Sequence, residues 1–395
     1  MKILTADRLI TGDGKTVLEG YGLTVEGGRI GAVRPLEELK ARYPEAETTV
    51  YDGCTLLPGL VDMHVHLGNW GNRPGDYRNN DYMHAYVAAS NARSVLKNGV
   101  TTIRDASTKN KMTASLRAAI ESGLVEGPMP RMFTCGNGLC MTGGHGSEIP
   151  DGGEEVDGPW EVRKAIRRNF KNGCDWIKML TSSRASIPEF TQEELDAAAD
   201  ECHRRGKKIA VHSGVYPTIQ MCIDAGFDTI EHGTYMTVEQ ARQMKEKGLA
   251  WVPTITPYTR AAIRSKQKFE ADPTPENEER CKVYGACAEA YRNHFKELYD
   301  TGVTVGAGTD LSLDEGDGAP VAGELKYMVE YGISPMEAIR VGTANGAAIL
   351  GISDETGMLK EGLAADLLVV RGNPGMKIEE LENVEAVWRN GVLAI

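Results

Sequence analysis

The sequence has eight cysteines but no Cys-x-x-Cys pair, so neither a thiolate zinc site nor a disulfide framework is indicated. No stretch approaches the ~20 apolar residues needed to cross a bilayer, and an acid interrupts the first residues, so we expect no signal peptide. The net charge of −12 disfavours nucleic acid and anionic membranes as partners, because both select basic surfaces. We expect a cytoplasmic protein that acts on a small molecule. We also expect it to form a homo-oligomer.

The 395 residues, 41% hydrophobic and 25% charged, have the composition of a soluble globular protein larger than one ordinary domain. Residues 1–56 and 355–395 carry short alternating apolar stretches broken by glycines, a pattern typical of strands and turns. Neither end alone supplies a complete sheet. We therefore predict that the two ends pair into one small β-sandwich domain around a separate domain at 57–354.

In the middle of the chain, short apolar runs alternate with amphipathic helical stretches. The predicted strands are 59–66, 101–105, 131–134, 176–180, 208–212, 229–232, 250–253 and 303–307. Eight strands spaced by helices favour an α/β fold with a parallel (β/α)₈ barrel over an open sheet.

Polar residues with metal-binding character lie at the ends of these predicted strands, the edge at which barrel active sites form. His64 and His66 alternate along the first strand and so share a face. Such a His-x-His pair alone is a weak signal. However, His212 and His232 also close apolar runs and Asp310 follows the last one, an arrangement that chance seldom produces.

Lys178 also lies in an apolar run, where a lysine is costly unless it is paired or modified. A neutral lysine can add carbon dioxide to form an anionic carbamate with two oxygens. Those oxygens are able to bridge two metal ions ~3.5–4 Å apart, the separation used in two-metal hydrolysis.

These residues resemble the amidohydrolase superfamily over essentially the whole chain. Residues 57–66 (LPGLVDMHVH) are similar to its first-strand signature, and residues 357–367 (GMLKEGLAADL) are similar to its return into a composite β-domain. The surroundings of Lys178, the loop MTGGHG at 141–146 and IEHGT at 230–234 resemble the Xaa-Pro dipeptidase and imidazolonepropionase-like branch.

The resemblance implies two divalent ions, zinc or manganese. His64, His66 and Asp310 would hold one ion, His212 and His232 the other, and carboxylated Lys178 would bridge them. A hydroxide between the ions would attack the carbonyl of an amide in a dipeptide or N-acyl amino acid. Asp310 would then pass a proton to the leaving amine.

Substrate contacts are less specifically indicated. His145 lies in a Gly-rich loop and is either a substrate contact or a structural residue, and Arg184 or Arg73 would suit a substrate carboxylate. Members of this branch often carry His-Ala-Tyr where this chain has His-Ser-Gly at 212–214. Tyr235 or Tyr216 would then take the place of the missing tyrosine.

Two other functions remain open. A cyclic amidase or a deaminase of an amino-heterocycle would use the same barrel, but mononuclear members of those classes lack a lysine at the position of Lys178. A metal-binding scaffold without activity would have no need of the acid–base residue Asp310. We interpret the acidic loop 314–317 and the charged insertion 261–299 as solvated surfaces.

Overall fold

The structure, a computed structural model, describes residues 1–68, 80–147, 153–182, 187–310 and 320–395. The strands are β1 (Lys2–Ile10), β2 (Val17–Glu19), β3 (Tyr21–Glu26), β4 (Arg29–Pro35), β5 (Glu47–Pro58), β6 (Leu60–Val65), β7 (Val100–Asp105), β8 (Arg131–Thr134), β9 (Leu139–Cys140), β10 (Glu154–Glu155), β11 (Trp176–Leu180), β12 (Lys208–Ser213), β13 (Thr229–His232), β14 (Ala250–Val252), β15 (Thr304–Val305), β16 (Leu367–Arg371), β17 (Val384–Arg389) and β18 (Val392–Leu393).

Helices connect and cover these strands. The α-helices are α1 (Leu36–Arg42), α2 (Asp81–Lys97), α3 (Met112–Glu121), α4 (Gly158–Lys171), α5 (Gln192–His203), α6 (Tyr216–Ala225), α7 (Val238–Lys247), α8 (Ile255–Ala271), α9 (Pro275–Asp300), α10 (Pro320–Glu330), α11 (Pro335–Arg340) and α12 (Gly346–Leu350). A π-helical turn, Val341–Asn345, joins α11 to α12. Within the described ranges, no helix combines the length and the apolar character needed to cross a membrane.

The middle of the chain is an α/β structure with parallel sheets, as predicted. One parallel sheet has the order β6-β7-β8, and the other has the order β10-β9-β11-β12-β13-β14-β15. Each of the eight predicted strands is present. The predicted bounds of β8, β11 and β13 are confirmed, whereas the last predicted strand, 303–307, is shorter and spans Thr304–Val305.

Hydrogen bonds also join the two parallel sheets at two places. The amide of Met63 in β6 donates to the carbonyl of Ala307, just after β15, over 2.8 Å. The amide of Asp175 donates to the carbonyl of Thr134 in β8 over 2.9 Å. The carboxyl ends of the strands of both sheets therefore face one region of the molecule.

Strands from the two chain ends lie in one mixed sheet of order β18-β17-β16-β5-β1-β3-β4, with β2 beside β1. Side chains alternate along β16: Leu368 and Val370 belong to the main core, whereas Leu367 and Val369 belong to a smaller core formed with β1, β3, β5 and β17. This sheet therefore packs on the rest of the molecule through one face. The domain bounds at 56 and 354 and a sandwich packing stay predictions.

The charged insertion is a pair of helices, α8 and α9, with one apolar face. Tyr258, Tyr291 and Phe295 are buried on that face, and the indole of Trp251 lies 5.6 Å from the ring of Phe295. The interpretation of 261–299 as a solvated surface is therefore wrong for this face. The error arose because charged residues occupy the outer side of both helices and dominate the composition of the segment.

Candidate active site

Three of the predicted metal ligands meet where β6 and β15 end. The imidazole Nε2 atoms of His64 and His66 are 3.3 Å apart, and Asp310 Oδ1 lies 3.5 Å from the first and 3.1 Å from the second. One ligand atom from each of the three residues therefore lies within 4.8 Å of the other two. A group of two imidazoles and a carboxylate this close is suited to zinc or manganese.

The turn that carries Asp310 is hydrogen-bonded to β6. The amide of Asp310 donates to the carbonyl of His64 over 2.7 Å, and Asp310 has a left-handed backbone with φ of 50°. The buried carboxyl of Asp62 accepts from the hydroxyl of Thr309 over 2.6 Å and from the amide of His64 over 3.1 Å. Burial raises the pKa of Asp62 to about 7 despite these hydrogen bonds.

The two remaining predicted histidines form a second group beside the first. The rings of His212 and His232 have centroids 4.2 Å apart, and that of His232 lies 5.1 Å from His64. The hydroxyl of Thr254 lies 2.6 Å from Nδ1 of His232, which leaves the Nε2 of that ring available. Burial is the main cause that holds the pKa of both His212 and His232 well below the usual value, so both imidazoles are neutral near pH 7.

Lys178 lies within β11, on the strand next to the one that carries His212. Its side chain is 1% exposed, and its Nζ has no hydrogen-bond partner among the residues that the structure describes. Burial lowers the pKa of this amine to about 8, with the charge of Arg104 acting in the same direction and that of Glu231 opposing it. The Nε2 of His212 is likewise buried without a partner in the described ranges.

Two buried charged residues beside His64 were missed in the sequence. Glu231 Oε2 lies 2.7 Å from Nδ1 of His64, and the Nη2 of Arg104 donates to Glu231 Oε1 over 2.6 Å. Burial alone would raise the pKa of Glu231, but Arg104 and the hydrogen bond to His64 hold that pKa well below its usual range. A signal was present, because both are charged residues inside predicted strands, as Lys178 is.

The predicted substrate contacts lie in different places. The ring centroid of His145 is 4.1 Å from that of His212, so His145 adjoins the histidine group. The hydroxyl of Tyr235 lies 3.6 Å from Sγ of Cys287 in α9. Tyr216 is exposed at the start of α6.

Other candidates fall outside the part of the chain that the structure describes, and these are Arg73, Arg184 and the acidic loop 314–317. The sequence-based interpretations of these residues stay predictions.

Comparison with known proteins shows similarity to hydrolases of one family. The model of the amidohydrolase family matches residues 55–394. Ochratoxinase from Aspergillus niger is 30% identical, over 99% of this chain and 86% of its own length. Imidazolonepropionase from Geobacillus kaustophilus is 25% identical, over 89% of this chain and 84% of its own length.

Solved structures resemble the whole chain. The crystal structure of a Xaa-Pro dipeptidase with bound methionine in its active site has 31% sequence identity and a TM-score of 0.84, and the match covers 99% of each chain. The crystal structure of the A. niger ochratoxinase has a TM-score of 0.83 and covers 99% of this chain and 95% of its own. The chain therefore belongs to the amidohydrolase family and is a hydrolase that acts on C–N bonds.

Proposed function

We propose that this protein is a metal-dependent amidohydrolase that cleaves the amide bond of a dipeptide or an N-acyl amino acid. The observation that carries the proposal is the meeting of His64, His66 and Asp310 within 4.8 Å. Lys178, a buried amine without a described partner, reaches the same interior. Membership of the amidohydrolase family indicates the class of reaction, and these residues indicate how the protein would catalyse it.

The residues present fit two divalent ions. His64, His66 and Asp310 would hold one ion, His212 and His232 the other, and Lys178 would join them after carboxylation. Lys178 Nζ and His212 Nε2 are buried without a hydrogen-bond partner in the part of the chain that the structure describes. Since buried polar atoms are otherwise hydrogen-bonded, these two atoms are suited to be ligands of the ions. When bound, two such ions polarise a carbonyl and lower the pKa of water, the chemistry that amide hydrolysis needs.

Lys178 is suited to become a carbamate. Since its pKa is lowered to about 8, a fraction of the amine is neutral at pH 7 to 8. The nitrogen lone pair of that amine attacks the carbon of carbon dioxide and the nitrogen releases one proton, which leaves an N-carboxylate. The guanidinium of Arg104 lies near enough to influence Lys178 and would stabilise the new negative charge.

Asp310 would move the proton. Its Oδ1 lies 3.1 Å from His66, and its side chain is partly open to solvent, at 29% exposure. A carboxylate in this position would accept a proton from the attacking water and deliver it to the nitrogen of the leaving amine. Burial opposes ionisation of Asp310, but the hydrogen bond with His66 is the main cause that holds its pKa well below the usual value, so it starts as a base.

The strands that present these residues would close into one (β/α)₈ barrel. The hydrogen bonds from Met63 to Ala307 and from Asp175 to Thr134 support closure, since they connect the two parallel sheets at two separate places. In such a barrel the active site lies at the carboxyl ends of the strands, and these ends carry the histidines and Asp310.

The substrate class is supported by the relatives. A Xaa-Pro dipeptidase with bound methionine and a prolidase in complex with N-methylphosphonate-L-proline resemble the chain with TM-scores of 0.84 each. Both names refer to enzymes of dipeptides. We extend that class to this chain, and include N-acyl amino acids because they present the same amide beside a carboxylate.

The proposal is tested by mass spectrometry on a mixed panel of dipeptides, N-acyl amino acids, cyclic amides and amino-heterocycles. The enzyme is purified with zinc or manganese and with bicarbonate. We expect a linear amide to be split into two products whose masses sum to the substrate plus one water. Loss of ammonia from a heterocycle, or addition of water to a ring, with all linear amides intact would contradict the proposed substrate class.

A further inference from the structure

Arg104 and Glu231 form an ion pair in which both side chains are 0% exposed. Removing two charges from water costs several kcal/mol per ion, and the mutual attraction of the pair often fails to repay this cost. Stability alone therefore gives a weak reason for the pair. Its contacts indicate another role, because they converge on His64.

Both oxygens of Glu231 are engaged, and in different ways. Oε1 accepts from the Nη2 of Arg104 over 2.6 Å and from the hydroxyl of Thr229. Oε2 lies 2.7 Å from Nδ1 of His64. A carboxylate can only accept, so Nδ1 of His64 must carry the proton that it donates to Glu231.

Arg104 also fixes the strand that carries His64. Its Nε donates to the carbonyl of Met63 over 2.7 Å, and its Nη1 donates to Thr229 over 3.1 Å. One guanidinium thus holds the backbone just before His64 and the carboxylate that contacts the ring of His64. The guanidinium of Arg104 therefore sets both the position and the rotation of the imidazole ring of His64.

We propose that Glu231, held by Arg104, is a positioning residue that keeps the proton of His64 at Nδ1 and presents Nε2 as a bare nitrogen towards His66 and Asp310. This inference rests on the proposed metal site, since a bare Nε2 is what an ion would bind. A carboxylate behind a metal-binding histidine sets the orientation and basicity of the ring, and its loss typically costs 10–100-fold in metal affinity.

Glu231→Gln is the informative substitution because it keeps the shape of the side chain. Arg104 and Thr229 both donate to the Oε1 position, so they will retain the amide oxygen there. The amide NH₂ then faces His64 and can only donate, so Nδ1 becomes an acceptor and the proton moves to Nε2. The substitution therefore inverts the tautomer of His64.

The first measurement is NMR of the metal-free, ¹⁵N-histidine-labelled protein at pH 8, with the signals of His64 assigned by difference from His64→Gln. We expect a protonated Nδ1 and a bare Nε2 in the natural protein, and the reverse tautomer in Glu231→Gln. A natural protein with the proton of His64 at Nε2 would overturn the proposal. This readout needs neither activity nor a variant of Glu231 that folds.

The second measurement is zinc titration of the metal-free protein against a competing chelator. We expect Glu231→Gln to bind zinc about 10–100-fold more weakly than the natural protein. Glu201→Gln is the matched control, because Glu201 has a 0% exposed side chain and pairs with arginines but contacts none of the histidines of the site. Equal affinities in the two variants would overturn the proposal.

The two measurements also separate this inference from the proposed function. If the natural protein binds no zinc, the proposed metal site fails. The tautomer of His64 in the metal-free protein still decides whether Glu231 positions that ring.

Discussion

Asp62, Arg104, Lys178 and Glu231 are charged residues that lie inside buried strands, and each is at most 1% exposed. A buried charge is costly unless it is paired or hydrogen-bonded. Asp62 accepts hydrogen bonds from Thr309 and His64, and Arg104 pairs with Glu231. Lys178 differs from these three because its amine has no partner among the described residues. The burial of Lys178 is therefore better explained by a chemical role of its amine than by a contribution to stability.

Lys178→Ala is expected to abolish most activity and to remove most of the bound metal, because the proposed bridge is lost. A short carboxylic acid in the buffer is expected to restore part of the activity by replacing the carbamate oxygens. Metal analysis and turnover with and without the acid check this result. Lys208→Ala is the control, since Lys208 lies on the neighbouring strand and donates to the carbonyl of Ile349. Wild-type turnover with full metal content in Lys178→Ala would rule out the bridge.

Asp310→Asn is expected to lower kcat by about 10²–10⁴-fold while KM changes only a few-fold, because an amide cannot take and return the proton. Asparagine keeps one oxygen in the place of Oδ1, so much of the site remains. Steady-state kinetics on the cleaved amide measures both parameters. A loss shared equally between kcat and KM would instead indicate that Asp310 acts in substrate binding.

At the scale of elements, α4 and α5 are joined by a cluster of charges. Arg163 and Arg167 of α4 contact Glu201 of α5, with the Nε of Arg167 donating over 2.8 Å. The hydrogen bonds from Arg167 outweigh burial and lower the pKa of Glu201 from 4.5 to about 2. The carboxylate of Glu201 therefore stabilises the pairing of the two helices on the outer surface of the parallel sheet.

Glu201→Gln is expected to lower the free energy of unfolding by roughly 1–2 kcal/mol at pH 7. The full pKa shift would give about 3 kcal/mol, but solvent screens the partly exposed arginines. Because the pKa is lowered in the folded state, this contribution is present above pH 4.5 and is lost as the pH falls towards 2. Urea unfolding at pH 7 and at pH 4 checks this. A difference between variant and natural protein that grows on acidification would contradict it.

The sequence predicted most strands because each combines an apolar run with a turn signal, and a polar residue marks the end of several of them. Helical periodicity gives no sign of the π-helical turn at Val341–Asn345, which joins α11 to α12. Arg104 and Glu231 were missed since they lie 127 residues apart, and periodicity carries no information on which distant charges pair. The presence of a charged residue within a predicted strand, the argument applied to Lys178, would have singled out both.

At the scale of the whole molecule, the chain ends are joined side by side. Strand β16 pairs with β5 in an antiparallel register that sets Leu368 opposite Leu57. The indole nitrogen of Trp388 in β17 donates to the hydroxyl of Tyr51 in β5 over 3.0 Å. Since β5 leads directly into β6, which carries His64, the sheet of the chain ends supports the strand that begins the site.

Trp388→Ala is expected to destabilise the protein by about 3–5 kcal/mol, because it leaves a cavity in the smaller core and removes the hydrogen bond to Tyr51. Thermal unfolding measures the loss. Trp160→Ala is the control, since Trp160 is 79% exposed, and we expect little change. A similar melting temperature for Trp388→Ala and the natural protein would show that this core contributes little to stability.

We have proposed that buried Lys178 becomes a carbamate that joins two metal ions. We would test it by ¹³C NMR of the zinc-loaded protein in ¹³C-bicarbonate, together with metal analysis. We expect one carbamate carbon signal and two zinc ions per chain, with the signal absent from Lys178→Ala. Two zinc ions per chain without a carbamate signal in the natural protein, or an unchanged signal in Lys178→Ala, would contradict it.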